Sequence, residues 1–224
     1  MFGMDFQSPA TMGAVATTGP VREGSRRRYE ERRDSVIDAA ARVFAKQGYD
    51  ATTIDDLVAA TGLQRGGLYH YIGGKQDLLI AIHERFLEPL LQQAREIAAQ
   101  DLEPEPALRA LAAALMDNIH HYRDQVTVFF HEWRTIEGDE RWSQVRRERR
   151  EFETIIADVL ERGRAAGRFR FADGRIALLG FLGMINYAPQ WYEPRGRMSH
   201  LAIAEQFCDI FLRGIAVTDP PRGR

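Results

Sequence analysis

Between residues 53 and 72 the chain spells a helix, a glycine-bearing turn and a second helix, and no other feature constrains the fold as much. Thr53-Ile54-Asp55-Asp56 is a capping-box pattern. The Thr hydroxyl accepts an orphan backbone N–H of the first turn, and the acidic side chain three residues on answers it. The helix opened in this way is expected over about 54 to 61. Gly62 then permits a left-handed turn, Leu63 points back toward the core, and a short helix follows over about 64 to 72. Upstream, Ile37, Ala40, Ala41 and Phe44 recur at helical spacing from Asp34, and Gly48 stands where a C-cap glycine belongs.

After Gly73-Gly74, Lys75 opens a long helix through Leu78, Leu79, Ile82, Phe86, Leu90 and Ile97, in which Pro89 is expected to introduce a kink. The remainder shows no strand-like alternation of useful length. Leu108, Leu111, Leu115 and Ile119 keep the helical period, and further helices are expected near 124–135, 139–166, 173–191 and 199–214. Gly167, Gly174, Pro194 and Gly196 punctuate them. The fold class is all-α: a three-helix N-terminal domain over 26–80, joined by the long helix to a helical domain over 81–217. Residues 1–25 and 218–224 are expected to be disordered tails, the first rich in Gly, Ala, Thr, Ser and Pro without hydrophobic period.

Composition narrows the class. With 45% hydrophobic and 28% charged residues there is material for a core and charge to solvate its surface. Cys208, the only cysteine, leaves no internal disulfide framework and no Cys-based zinc site, which fits a reducing compartment, the cytoplasm. The longest apolar stretch, residues 176–188, is shorter than the ~20 residues that span a bilayer, and residues 1–20 lack a charged start followed by an apolar block. No membrane association or export is expected. The net charge of −2 hides a local bias: residues 22–75 carry ten Arg/Lys against eight Asp/Glu. Most of that excess is Arg22, Arg26, Arg27, Arg28, Arg32 and Arg33, a short basic arm before the first periodic helix. Such an arm suits a minor groove or a run of phosphates, and equally a solvated tail.

A helix that enters the major groove needs small residues for close approach, polar or aromatic tips on its outer face, and a buried anchor. The run from Leu63 to Ile72 has all three. Leu63, Leu68 and Ile72 bury one face, leaving Arg65, Gly66, Gly67, Tyr69, His70 and Tyr71 for the outer face or its edges. Arg65 is long enough to reach guanine acceptors, the two glycines let backbone approach the duplex, and Lys75 is well placed for a phosphate. Gly48-Tyr49, Thr53-Ile54-Asp55-Asp56-Leu57, Thr61-Gly62-Leu63, Gly66, Leu68-Tyr69 and Lys75 together resemble the DNA-binding domain of the TetR/AcrR family over residues 34–82. The resemblance implies that Thr53 and Tyr71 contact phosphates, that Arg65, Gly66, Gly67, Tyr69 and His70 face bases or backbone, and that Lys75 clamps a phosphate. Gln64 departs from the family's usual Ser or Thr helix cap, Gly67 from a common hydroxyl residue, and Ile72 from the usual Phe.

Farther along, Gly183-Met184-Ile185-Asn186-Tyr187, Trp191-Tyr192 and Pro194 resemble a subgroup that includes acyl-CoA-responsive regulators of lipid and steroid catabolism, although Gln190 stands where a basic residue often precedes the Trp-Tyr pair. Phe129, Phe130, Trp133, Phe181, Met184, Ile185 and Tyr187 are more large apolar side chains than a small helical layer needs; each singly suits a packed core, and as a group they suit an apolar pocket. The expected effector-binding residues are Phe129, Trp133, Phe181, Met184, Tyr187 and Trp191. Asp117, His120, His121, His131 and Glu132 lack the second carboxylate-x-x-His element of a di-metal bundle, so no metal and no cofactor is expected. Arg146, Arg147, Arg149 and Arg150, interleaved with Glu148 and Glu151, read as a solvated face. No nucleophile with its base, paired-carboxylate site or cofactor loop stands at motif spacing, so an enzyme is not expected. A helical adaptor would need neither the basic arm nor the glycine-bearing helix. Leu201, Ala204, Phe207, Cys208, Phe211 and Ile215, with Leu178, Phe181, Leu182 and Ile185, form stripes suited to a four-helix homodimer contact, the one this family uses by resemblance. The sequence thus predicts a homodimeric repressor that binds operator DNA and is controlled by a small effector, an acyl-CoA or other lipid-like compound.

Overall fold

The computed structural model describes residues 20–137 and 140–215, with side chains described over 24–132 and 140–215. The described residues form nine α-helices and no β-strand. These are α1 (Pro20–Gln47), α2 (Ile54–Thr61), α3 (Arg65–Tyr71), α4 (Lys75–Ala99), α5 (Pro104–His121), α6 (Arg123–Glu137), α7 (Ser143–Ala165), α8 (Gly174–Asn186) and α9 (His200–Ile215). Short 3-10 turns over Glu140–Trp142 and Ala188–Gln190 precede α7 and follow α8.

The first helix corrects the reading of the basic arm. It starts at Pro20, well before Asp34, so residues 20–25 are helical rather than a disordered tail, and the arm is the N-terminal half of α1. A hydrophobic period is absent there, but Arg and Glu are good helix formers and the pairs Arg26–Glu30 and Arg27–Glu31 lie one turn apart at 2.8 and 3.4 Å. The tails expected over residues 1–19 and 218–224 lie outside the described residues.

Val36, Ile37, Ala40, Ala41 and Phe44 of α1 pack with Leu57, Leu68, Ile72, Leu78, Leu79 and Ile82 in the N-terminal core, all buried. The same core runs on without a break along α4 through Phe86, Leu87, Leu90 and Leu91 into the C-terminal helices. Pro89 has no N–H for the helical ladder, and on the adjacent carbonyl, that of Phe86, the buried Asn118 of α5 makes a 2.8 Å bond. The two halves are also joined by polar contacts. Gln125 of α6 donates to Asp38 of α1 at 2.8 Å, Arg85 of α4 pairs with Asp34 at 3.1 Å, and the Tyr49 backbone N–H donates to Glu132 of α6 at 3.3 Å.

The stripes assigned to a dimer contact divide differently in the fold. Phe181, Leu182 and Ile185 of α8 and Ala204, Cys208 and Leu212 of α9 are buried within the chain, with α9 lying along α5. The apolar side chains left outside are Ile176 and Leu179 of α8, Tyr187 at its C-terminal cap, and Leu201 and Ile210 of α9. Both faces of α8 are apolar, so its period shows that it packs and not which face packs inward.

Candidate nucleic-acid interface and ligand cavity

Thr53 caps α2 as its sequence predicts: Thr53 Oγ1 accepts from the Asp56 N–H at 3.2 Å, and the Asp56 carboxylate accepts from the Thr53 N–H at 2.8 Å and hydroxyl at 2.7 Å. Those Thr53 donors, backbone first, hold the Asp56 carboxyl below the usual carboxylate range. Gly62 closes α2 with φ at 66°, the left-handed region, and its N–H donates to the Val58 carbonyl at 3.0 Å. The turn therefore needs its glycine. Gln64 begins α3 without a side-chain cap, as its departure from Ser or Thr implies.

On α3, Leu68 is buried and Ile72 follows it into the core, which turns Arg65, Gly66, Tyr69 and His70 outward. Tyr69 is 46% exposed, a large ring open to solvent on the outer face of α3. A Cβ built on Gly66 meets nothing within 4 Å, and one on Gly67 makes only ordinary contact with Leu63 at 3.8 Å. The fold itself does not require either glycine, though each weakens a helix by up to about 1 kcal/mol. What they leave is a bare strip of backbone between Arg65 and Tyr69.

Arg65 Nη2 is held by Asp55 Oδ1 at 2.7 Å, which poises the guanidinium between α2 and α3. Lys75 Nζ donates to the Asp50 carbonyl at 3.3 Å and sits 4.3 Å from the Tyr49 ring centre, so Gly48-Tyr49 positions the lysine at the start of α4. Sequence reasoning missed Tyr29. Its ring stacks on Tyr71 at 5.1 Å and meets His70 edge-on at 5.5 Å, and its hydroxyl donates to the His70 carbonyl at 3.2 Å. The basic half of α1 is thereby fixed to the end of α3. A lone aromatic inside a charged run was the available signal.

Between α4, α5, α6, α7 and α8 the C-terminal domain has a partly open cavity of about 60 Å³. Its walls are mainly Phe86, Leu90, Leu115, Phe129, Phe130 and Phe152, and its polar lining is Asn118, Asn186, Arg149 and Glu153. Arg149 Nε pairs with Glu153 at 2.8 Å. Of the six residues expected to bind an effector, Phe129 lines this cavity. Phe181 lies in the core, edge-on to Phe211 at 5.3 Å. Tyr187 is 66% exposed, and Trp191 faces a separate surface groove of about 320 Å³ with Phe207 and Ile210. Met184 is half-buried on α8 and is not among the residues lining the cavity. The side chain of Trp133 lies outside the described residues. Trp191 leaves the 3-10 turn outward, while Tyr192, its buried neighbour, takes the inward place and shares a 2.7 Å bond with His120 Nδ1.

Asp117, His120, His121 and Glu132, weighed for a metal, are engaged within the chain. His200 Nε2 lies 3.1 Å from Asp117, His121 Nδ1 lies 2.9 Å from the Asp117 carbonyl, and Glu132 receives the Tyr49 N–H. Among the described residues no group of three or more His, Cys, Asp or Glu is placed to hold a metal ion, and no helix is long and apolar enough to cross a membrane.

A capped helix-turn-helix on a three-helix unit, continued by one long helix into a helical domain with an apolar cavity, defines a helix-turn-helix transcriptional regulator with a ligand-binding domain. The model of the bacterial regulatory proteins of the tetR family matches residues 36–82, and that of the tetracyclin repressor-like C-terminal domain matches residues 101–215. The chain belongs to the TetR family. It is 31% identical to the HTH-type transcriptional repressor KstR2 of Rhodococcus jostii (strain RHA1), over 83% of this chain and 91% of that protein. The solved structure of the ketosteroid transcriptional regulator KstR2 of Mycobacterium tuberculosis matches with a TM-score of 0.79 at 26% identity, covering 84% of this chain and 96% of that one. The probable transcriptional regulatory protein RHA5900 matches with a TM-score of 0.76 at 30% identity, over 84% and 100% of the two chains.

Proposed function

We propose that the protein is a homodimeric repressor that holds a palindromic operator and is released from it by an apolar small molecule, an acyl-CoA or another lipid-like compound. The observation that carries the DNA half is the exposed strip of α3, where Arg65, Gly66, Tyr69 and His70 face outward and the glycines serve no packing within the chain. Thr53, Gly67, Tyr71 and Lys75 complete the proposed contact, positioning the helix on phosphates while α3 reads base edges. The names of the KstR2 relatives, a repressor and a ketosteroid transcriptional regulator, support repression and a lipid-like effector.

The effector half rests on the cavity. Its rings take the apolar part of the molecule, and Arg149, steadied by Glu153, meets the polar end. At about 60 Å³ the cavity is far below the ~300 Å³ of a typical small-molecule site, so the effector must push the walls apart. Two of those walls are α4 and α6, which carry Lys75 and the bonds to Asp38 and Tyr49 of the N-terminal domain. Widening the cavity therefore moves the DNA-reading unit, and the coupling is reciprocal: effector weakens operator binding as operator weakens effector binding.

The test is selection of genomic fragments by the purified protein, followed by binding measurements on the enriched site with a panel of acyl-CoAs. A palindromic motif, released by at least one of them, is expected; no enrichment at low or moderate salt would sink the proposal. On that site Lys75→Ala should weaken binding for all sequences alike and lower the salt slope by about one, whereas Tyr69→Ala should weaken the specific site more than random DNA. Unchanged affinity in both variants would remove these residues from the contact.

A further inference from the structure

Two side chains just behind the cavity wall have polar atoms that nothing among the described residues satisfies. His83 of α4 and Trp142 of the 3-10 turn before α7 are both fully buried. His83 Nδ1 lies 2.6 Å from the Leu79 carbonyl, which accepts and so fixes the proton on Nδ1. Nε2 is then a bare acceptor, and it has no partner among the described residues. Trp142 Nε1–H is a donor in the same position, also without a partner among the described residues. The two rings stand edge-to-face with centres 4.8 Å apart. Burial pushes the His83 imidazole down to about 4, so it is neutral, and its Nε2 remains an acceptor, across the physiological range.

Leaving one such group unmet costs on the order of 1–3 kcal/mol, and native chains keep few of them without a reason. The location supplies the reason. Phe86 and Phe129 line the cavity, and both also pack on the His83 ring, at 6.2 and 5.3 Å. A ligand that widens the cavity by turning Phe129 reaches the His83 ring, whose centre lies 4.8 Å from that of Trp142. A hydroxyl is the small group that satisfies both, donating to Nε2 and accepting from Nε1–H. A ketone or ether accepts from Trp142 and leaves His83 unmet. An ammonium serves His83 alone and would enter an apolar site as a charge.

We propose that His83 and Trp142 form a second polar point of the effector cavity, besides Arg149, and select an apolar effector that carries a hydroxyl group. The proposal rests on the cavity being the effector site. It also gives the signal a direct route, because the hydroxyl takes hold of α4 eight residues, about 12 Å, from Lys75.

The test compares 1-octanol, 2-octanone and heptyl methyl ether, each with eight carbons and one oxygen and differing in what that oxygen offers, by nitrogen and proton NMR of the full chain. With octanol, the Trp142 indole N–H and the His83 Nε2 signals both move, and it binds about tenfold more tightly than the ketone. The ketone and ether move the Trp142 signal alone. His83→Leu brings octanol down to the ketone's affinity and leaves the ketone's unchanged; the wild-type spectra decide the question if that variant folds poorly. Octanol that shifts the Phe129 ring signals while His83 and Trp142 stay still, as with a tightly held water between them, overturns the hydroxyl site and spares the cavity. If none of the three probes moves Phe129, the cavity reading fails and the hydroxyl site falls with it.

Discussion

His83 also makes the fold sensitive to acid in a direction that follows from its burial. Its folded-state value of about 4 lies below the 6.5 of a free imidazole, because desolvation disfavours the charged ring more than the Leu79 carbonyl favours it. As pH falls through 6.5 the unfolded chain takes up a proton that the folded chain refuses, so unfolding gains ground until the folded ring itself titrates near 4. The contribution is complete above 6.5 and is lost between those two values, a difference worth about 3 kcal/mol. Denaturant melts at fixed protein concentration should show this loss in the wild type and a flatter profile over the same range in His83→Leu. Parallel profiles would mean that His83 has another route to protonation. Asp56 acts with the same sign at lower pH: Thr53 depresses its carboxyl, so the α2 cap holds at neutral pH and fails as the pH drops below the ordinary carboxylate value.

Among the elements, α2 and α3 separate the two uses of glycine. Gly62 sits at φ 66° with open space around it, so Gly62→Ala should cost about 1 kcal/mol for backbone conformation alone. Gly66 lies within a helix, and a methyl there meets nothing, so Gly66→Ala should raise stability by up to about 1 kcal/mol and yet weaken operator binding by standing between backbone and DNA. Thermal melts paired with operator titrations test this. If Gly66→Ala strengthened both, the α3 backbone would not lie against the duplex. These elements were legible in the sequence because their determinants are local: a capping box, a left-handed turn and a short amphipathic run each occupy a few adjacent residues. The start of α1 was hidden because its support is not apolar; it comes from Arg–Glu pairs and from Tyr29 docking on Tyr71, a partner forty-two residues away. The cavity was only partly legible for a related reason. Phe129 stood out as a large side chain, but whether Phe181, Tyr187 or Trp191 faced inward depended on which side of α8 met the core, and an element apolar on both sides leaves that to tertiary packing. His83 carried no sequence signal at all, since a single histidine on a helix becomes notable only when its neighbours are known.

For the molecule as a whole, the apolar side of α8 and α9 left uncovered within the chain is the face through which the proposed dimer would form. Ile176, Gly180, Gly183 and Tyr187 follow one another at helical spacing along α8, and Gln206, Ile210 and Gly214 do so on α9, with Phe211 packed against Gly180 between them. Small residues flanked by exposed large ones let two helix pairs approach closely, the arrangement of a four-helix contact around a two-fold axis. Ile210 is 61% exposed and takes no part in the chain's own core, so Ile210→Arg should leave helical content and melting unchanged while converting a dimer to a monomer in sedimentation. Phe181→Ala is the contrasting case: at 1% exposure its loss should cost about 3–5 kcal/mol of stability. The monomer should keep its contacts to a half-site and lose the second, which a tether otherwise presents at high effective concentration, so affinity for the full palindrome should fall by about 10²–10⁴. It should also lose any dependence on the spacing between half-sites, because that spacing is read only when two α3 helices are held about one turn of DNA apart. An Ile210→Arg protein that still sediments as a dimer and still discriminates spacing would place the two-fold contact on another face, and the exposed stripe of α8 and α9 would then need a different occupant.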